Sequence, residues 1–232
     1  MNLKEILWPE TCPFCGKVCA DGICRGCRKK VDSLQIKEPA CMKCGKPVSV
    51  LEQEYCHDYM HTHHYYEKGM AMWLHKEPVS TSIYQFKYHN QRFYGKLYAA
   101  EIAAKKGAQV LRWRPEIIIP VPLHPKRKRK RGYNQAEILS CELGKILGIP
   151  VCRKLVKRIR YTEPQKKLDN RMRKHNLQKA FAVTRSMEGV KSVLVVDDIY
   201  TTGSTIDAVA KVLKKAGVSK VYFLTISIGQ GY

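Results

Sequence analysis

The chain has 232 residues, enough for one α/β domain of ordinary size and a small appendage. Its 42 Lys and Arg against 20 Asp and Glu leave a formal charge of +22, far more than solubility requires, which points to a polyanionic partner. Nucleic acid is favoured over a membrane surface because no basic amphipathic helix with bulky apolar anchors is present, and no run of about eighteen apolar residues or cleavable leader pattern occurs. A soluble, cytoplasmic chain with no integral membrane segment is the expectation.

Eight of the ten cysteines fall within the first 56 residues. In a cytoplasmic protein such a cluster reads as metal ligands before disulfides. Residues 1–66 have few apolar runs and cannot build a conventional core, so a cysteine-rich, zinc-ribbon-like region is expected there and a second domain over 67–232. Cys12 and Cys15, Cys24 and Cys27, and Cys41 and Cys44 are C-x-x-C pairs, a spacing that lets two thiolates reach one ion from a single turn. Gly16 and Gly45 follow two of them and supply the positive φ that such a knuckle needs. Zn²⁺ at Cys12, Cys15, Cys24 and Cys27 is the expectation. For Cys41, Cys44 and Cys56 the fourth ligand is unassigned, because Tyr59 stands where a last C-x-x-C cysteine would be. His57, His61, His63 or His64 completing a second site, a decayed site with buried thiols, and an interleaved pairing of Cys12 and Cys15 with Cys41 and Cys44 all stay open.

From Met70 to Leu111 the pattern predicts a short strand around Ser82–Tyr88 and a helix from Gln91, with Tyr94, Leu97, Tyr98, Glu101 and Ile102 at helical spacing. Glu116–Leu123 (EIIIPVPL) reads as a buried strand stopped by prolines. The next segment, 125–136, reads as a loop: Lys126, Arg127, Lys128, Arg129, Lys130 and Arg131 form an unbroken basic run that must face solvent or anions. A nuclear-localisation reading fits the charges but not the place, since the run joins a strand end to a helix. That helix has Asn134 as N-cap, Ala136, Leu139, Leu143, Ile146 and Leu147 inward, and Cys141 as a small hydrophobe. Residues 153–181 carry eleven Lys and Arg and two acids and read as a mobile or ligand-ordered loop rather than an ordinary core element.

The most informative stretch is 193–205, VLVVDDIYTTGST. Val193–Val196 is a β-branched apolar run, the mark of a strand buried on both faces. Asp197 and Asp198 follow, at the carboxyl end where open parallel sheets bind ligands. Thr201, Thr202, Gly203, Ser204 and Thr205 then lead into a helix at 204–216 with Ile206, Val209, Ala210 and Leu213 on one side, and a last strand covers Val221–Ile226. Such a loop aims N–H groups and hydroxyls at a phosphate, and the helix N-terminus adds positive potential. Neighbouring carboxylates suit vicinal sugar hydroxyls or a bridging metal. Neither G-x-G-x-x-G nor G-x-x-x-x-G-K-[ST] is present. The β-α-β alternation predicts an α/β fold with a mostly parallel, doubly wound sheet.

The 193–205 stretch resembles the 5-phosphoribosyl-1-pyrophosphate (PRPP) motif of type I phosphoribosyltransferases, in which the acidic pair takes the ribose hydroxyls and the loop takes the 5′-phosphate. With the N-terminal CxxC pairs, PVPLHPKRKRKRGYNQA at 120–136 and RIRYTEPQKKLDNRMRKHNLQKAF at 158–181, nearly the whole chain resembles the ComF family of competence proteins. The residues carrying that likeness include Arg131, Gly132, Tyr133, Asn134 and Gln135, then Arg160, Thr162, Gln165, Leu168, Arg173, Asn176, Ala180 and Phe181.

The resemblance implies a type I phosphoribosyltransferase fold with a zinc-ribbon-like N-terminus and a role in bringing transforming single-stranded DNA into the cytoplasm. A helicase-like competence partner is implied too, placing the protein at the inner face of the membrane through its partners. It assigns Val121, Pro122, Leu123, His124 and the adjoining basic run to the pyrophosphate of PRPP, with Mg²⁺ between pyrophosphate and sugar, and leaves Arg160 and Arg173 as phosphate or DNA contacts. Two functions stay open: a DNA-handling protein that binds PRPP, and a phosphoribosyltransferase acting on a small base, for which no side-chain base presents itself. The charge favours the first, since one pyrophosphate needs only a few cations.

Overall fold

The computed structural model describes residues 10–20, 22–161 and 179–229. In chain order these contain α1 (Arg25–Ser33), α2 (His57–Met60), β1 (Lys68–Leu74), α3 (Val79–Tyr88), α4 (Tyr94–Arg112), β2 (Ile117–Pro120), α5 (Pro125–Arg131) and α6 (Gln135–Leu147). Then follow β3 (Val156–Arg158), β4 (Phe181–Val183), β5 (Ser192–Tyr200), α7 (Ser204–Lys215) and β6 (Lys220–Ile228).

β1, β6, β5 and β2, in that spatial order, form one sheet in which every pair is parallel. Val151 extends it by a parallel bridge to Ile118. Parallel strands covered on both faces must be apolar throughout, and Val193, Leu194, Val195 and Val196 are all fully buried. Their alternation assigns the faces. Leu194, Val196, Leu224 and Ile226 pack with α3, α4 and α6, whereas Val193, Val195, Val221 and Phe223 pack with α7 and the β3–β4 hairpin. The sheet is therefore doubly wound. Truncating Leu194 to Ala would cost about 2–5 kcal/mol by the usual transfer and cavity contributions.

Direction reverses between β2 and β5: the chain leaves β2 for Val151 on one side and leaves β5 for β6 on the other. A crevice opens outside the carboxyl ends of two such strands. β2 ends at Pro120 opposite Val196, so β5 runs on past its neighbour from Asp197.

Several expected elements differ. The segment expected as a strand around Ser82–Tyr88 is helix α3, because Val79, Ser82, Ile83 and Phe86 are its buried residues at helical spacing. The strand of this region is β1, KGMAMWL, whose Met and Ala carry little β-signal yet whose inner five residues are buried. The basic run is helix α5 and not a loop: Pro125 stands in its first turn, the His124 ring accepts from Lys126 N at 3.3 Å, and Gly132 closes it. β5 extends to Tyr200 and holds Asp197 and Asp198 within it. In α6, Asn134 caps Ala136 N, but Ile146 is 51% exposed, so the inward stripe ends at Leu143 with Leu147 only partly covered.

The cysteine-rich segment lies directly against the sheet domain. Leu74 N donates to Leu34 O, Ile36 N to Met72 O and Gly69 N to Lys43 O, and Gln35 bridges Trp73. Arg28 binds Glu101 through both Nη atoms at 2.7 and 2.8 Å, and Phe14 meets Trp73 and Tyr98 edge-on. No helix among the described residues is long and apolar enough to cross a membrane.

Candidate functional site

The crevice at the β2–β5 reversal collects charge. Asp198 pairs with Lys87 of α3 at 2.8 Å, and both side chains are largely buried. The Asp197 carboxylate accepts from Asp198 N at 2.8 Å. Burial first, then the Asp198 charge, pushes the Asp197 carboxyl up to about 7, against the pull of Lys87 and Arg158. Arg158, on β3, lies over the Phe181 ring at 5.3 Å. Burial, with repulsion from Arg127 and Arg131, brings it down to about 10, and Asp197 is the charge acting in its favour. Neither Lys87 nor Arg158 stands out in the sequence, because both reach the acidic pair only through tertiary packing.

On the other wall, the loop after Tyr200 turns at Gly203 into α7. Gly203 has φ +77°, and a Cβ there would sit 2.5 Å from the Tyr200 hydroxyl. Only glycine fits this close approach. No side chain caps α7, while Thr202 and Ser204 share a hydroxyl contact at 2.8 Å. The first-turn N–H groups have no partner within their own helix. Thr201 is exposed and Thr202 and Thr205 half-buried, whereas Ser204 is buried. The acid of that first turn, Asp207, faces away from the crevice toward the His64 ring and Tyr65 N.

Val121 continues from β2 and receives Asn134 Nδ2 on its carbonyl at 2.9 Å, with Pro122 and Leu123 half-buried beyond it. Helix α5 follows. Lys126, Lys128, Arg129 and Lys130 are exposed and Arg127 and Arg131 half-buried. Lys128 meets Glu137 at 3.2 Å, and Arg131 donates to Gln135 and to the Tyr88 hydroxyl. Burial, Arg158 and the α5 cations hold His124 below the ordinary histidine value. Arg160 is exposed, and Arg173, Thr162, Gln165, Leu168 and Asn176 lie outside the described residues.

The cysteines form two groups of one design. Cys12 N donates to Lys17 O and Gly16 N to Cys12 O, and the same bonds recur at Cys41, Lys46 and Gly45. Gly16 and Gly45 both have φ +74°. Cys24 caps α1 and Cys56 caps α2, and Tyr59 N donates to Cys56 O just as Cys27 N does to Cys24 O. Tyr59 thus occupies the place of Cys27 in the second repeat. The sulfurs of Cys12, Cys15, Cys24 and Cys27 lie within 4.8 Å of one another, and so do those of Cys41, Cys44 and Cys56. The Cys15–Cys24 and Cys44–Cys56 separations are 3.6 and 3.5 Å, close to the edge of a tetrahedron with Zn–S bonds of about 2.3 Å. Thiolate donors in that arrangement suit Zn²⁺. The interleaved pairing is excluded, because these groups follow chain order. Among the described residues no histidine joins the three sulfurs of the second group. Those three thiols are buried and hold one another apart in charge: hydrogen bonds from Cys44 and Cys56 draw Cys41 far below the thiol range, and Cys44 is pushed up by the same contacts.

A phosphoribosyl transferase domain profile matches residues 129–227, and a double zinc ribbon domain profile matches residues 3–60. Competence protein F of Haemophilus influenzae is 36% identical over 211 residues, covering 88% of this chain and 89% of that protein. The chain belongs to the ComF family of competence proteins.

Other relatives of this ComF protein carry related names. DNA utilization protein YhgH of Salmonella typhimurium is 28% identical over 86% of this chain and 87% of its own length. Competence protein ComFC of Streptococcus pneumoniae is 26% identical over 65% of this chain and 64% of its own. The ComF architecture is thus a double zinc ribbon followed by a parallel sheet of the phosphoribosyltransferase kind. β5 carries Asp197 and Asp198 past the end of β2, where Val121 N donates to Val196 O, and the 201–205 loop leads from the same strand into α7.

Proposed function

We propose that this protein serves natural competence by binding PRPP with Mg²⁺ in the β2–β5 crevice and single-stranded DNA through its basic surface. The observation that carries the proposal is the acidic pair at the strand-order reversal, with Lys87 and Arg158 beside it and the Gly203 turn opposite. Asp197 and Asp198 accept the ribose hydroxyls, the 201–205 loop and the α7 N-terminus take the 5′-phosphate, and Val121–Leu123 with Arg158 face the pyrophosphate. The carboxylate oxygens of Asp197 and Asp198 are hard donors that would suit Mg²⁺, which when bound would compensate the negative charge of the ligand. The family name and the +22 charge support the DNA part: a ligand the size of PRPP needs only a few cations, whereas a polynucleotide uses many.

Isothermal titration tests the reading. PRPP with Mg²⁺ is expected to bind the wild type, and Asp197→Ala with Asp198→Ala to abolish the heat without unfolding the chain. Wild-type affinity in that double variant would overturn the assignment. Incubation with free purine and pyrimidine bases, monitored for pyrophosphate release, is expected to give no turnover. Release dependent on one base would replace this reading with that of a transferase.

A further inference from the structure

Three tyrosines among the described residues stand half in solvent: Tyr84, Tyr88 and Tyr161, at 50, 52 and 54% exposure. The others described are half-buried or buried. A scattered exposed ring needs no explanation. These three are not scattered, because Tyr88 and Tyr161 contact cations of the seven-residue helix α5 and Tyr84 adjoins Tyr88. Tyr161 lies 5.6 Å from Lys126 Nζ, 5.7 Å from the Arg127 guanidinium and edge-on to His124 at 5.3 Å. At the other end, the Arg131 guanidinium sits 4.7 Å over Tyr88 and donates to its hydroxyl at 2.9 Å. Tyr84 adjoins Tyr88 at 4.9 Å and His89 at 5.6 Å.

We infer that α5 and these tyrosines form a track for single-stranded DNA, with bases stacked on Tyr84, Tyr88 and Tyr161 and phosphates along the α5 cations. The inference rests on the reading that single-stranded DNA is a partner, and it names the surface and the contacts. Interleaved rings and cations are what an unpaired strand requires, since each base offers a π-face and each phosphate a charge. A duplex keeps its base faces stacked on one another and has no use for exposed rings. At about 1.5 Å per residue α5 is roughly 10 Å long, so one strand touches both clusters. α5 itself contains no acid, and among the described residues the acid paired with one of its cations is Glu137, on Lys128.

The surface is joined to the crevice. Gln135 Nε2 donates to the carbonyls of Phe86 and Lys87, and the Tyr133 hydroxyl to that of Phe86, which ties the end of α3 to the α5–α6 corner. Lys87 on one side of that end holds Asp198, and Tyr88 on the other meets Arg131.

Fluorescence anisotropy of a labelled oligothymidylate on the zinc-loaded full chain tests the inference. Tyr84→Ala with Tyr88→Ala, and Tyr161→Ala separately, are each expected to weaken binding about tenfold. The slope of log affinity against log salt should not change, because no cation is removed. Tyr→Phe at the same positions keeps the rings and should stay within about twofold of wild type. Melting temperatures close to wild type exclude a merely structural loss. If the Ala variants bind like wild type while a variant with Lys126, Arg127, Lys128 and Arg129 changed to Ser loses affinity, the stacking track is refuted and the DNA reading stands. If the wild type binds no oligonucleotide, both fall. Equal loss for a duplex of the same sequence also refutes the track.

Discussion

Asp197→Asn provides a sharp test of the crevice electrostatics. The carboxyl is pushed up to about 7 by burial and by Asp198, whereas in an unfolded chain it titrates near the ordinary aspartate value of about 3.9. A raised folded-state value means that the folded protein holds a proton that the unfolded chain has released. Stability from this group is therefore complete below about pH 4 and is lost as pH rises through 7. At 1.36 kcal/mol per pH unit, the full cost above pH 8 is about 4 kcal/mol, and about 1 kcal/mol of it accrues between pH 6 and pH 8. That narrower window is the useful one, because more acid conditions protonate zinc-bound thiolates and release metal. Asparagine keeps the shape and does not titrate. The expected result, from urea unfolding followed by tryptophan fluorescence, is that the stability of Asp197→Asn over wild type grows by about 1 kcal/mol from pH 6 to pH 8. Asp198→Asn removes the second cause of the shift and should move the wild-type transition to lower pH. A pH-independent difference, or a wild type that gains on the variant as pH rises, would refute this account of the crevice.

Replacing Lys126, Arg127, Lys128 and Arg129 with Ser should flatten the salt dependence of single-stranded DNA binding by about three log units per log unit of salt, at roughly 0.7 for each phosphate no longer neutralised. An unchanged slope would remove α5 from the DNA surface. Gly203→Ala should cost about 1–3 kcal/mol in urea unfolding, since alanine strains at φ +77° and its Cβ meets the Tyr200 hydroxyl. PRPP binding should suffer more than stability does. Cys24→Ser should reduce the zinc measured by elemental analysis by one ion per chain, while a control at Cys141, which lies outside both sulfur groups, should leave it unchanged.

The sequence conveys the middle of this sheet well and its borders poorly, for physical reasons. Val193–Val196 has no fate other than a buried strand, and the amphipathic pattern of Ile206, Val209, Ala210 and Leu213 matches the buried face of α7. β1 and α3 exchange places with expectation because composition misleads there. Met, Ala and Gly build a buried strand under tertiary pressure, while Ile, Tyr and Phe sit in a helix whose 3.6-residue period overrides their β-preference. In α5 the charge run obscures local signals that are present, Pro125 in the first turn and Gly132 at the end. The acidic pair and the hydroxyl-glycine loop are legible because they are contiguous. Lys87 and Arg158 are not, since each comes from a different element and meets Asp198 or Asp197 only across the folded crevice. The cysteine spacing leaves the pairing open, and the approach of the sulfurs of Cys12, Cys15, Cys24 and Cys27, apart from those of Cys41, Cys44 and Cys56, resolves it.

The bonds between the ribbons and β1 carry a consequence for solubility. β1 is the outermost strand on its side of the sheet and is short in polar residues. Leu34–Ile36 and Lys43 occupy its outer hydrogen-bonding groups, so the ribbons act as a cover over an otherwise sticky border. Because a ribbon without metal loses its fold, stripping zinc uncovers that border. Chelation is therefore expected to turn this strongly cationic protein into one that self-associates through β1, despite the mutual repulsion of its charge.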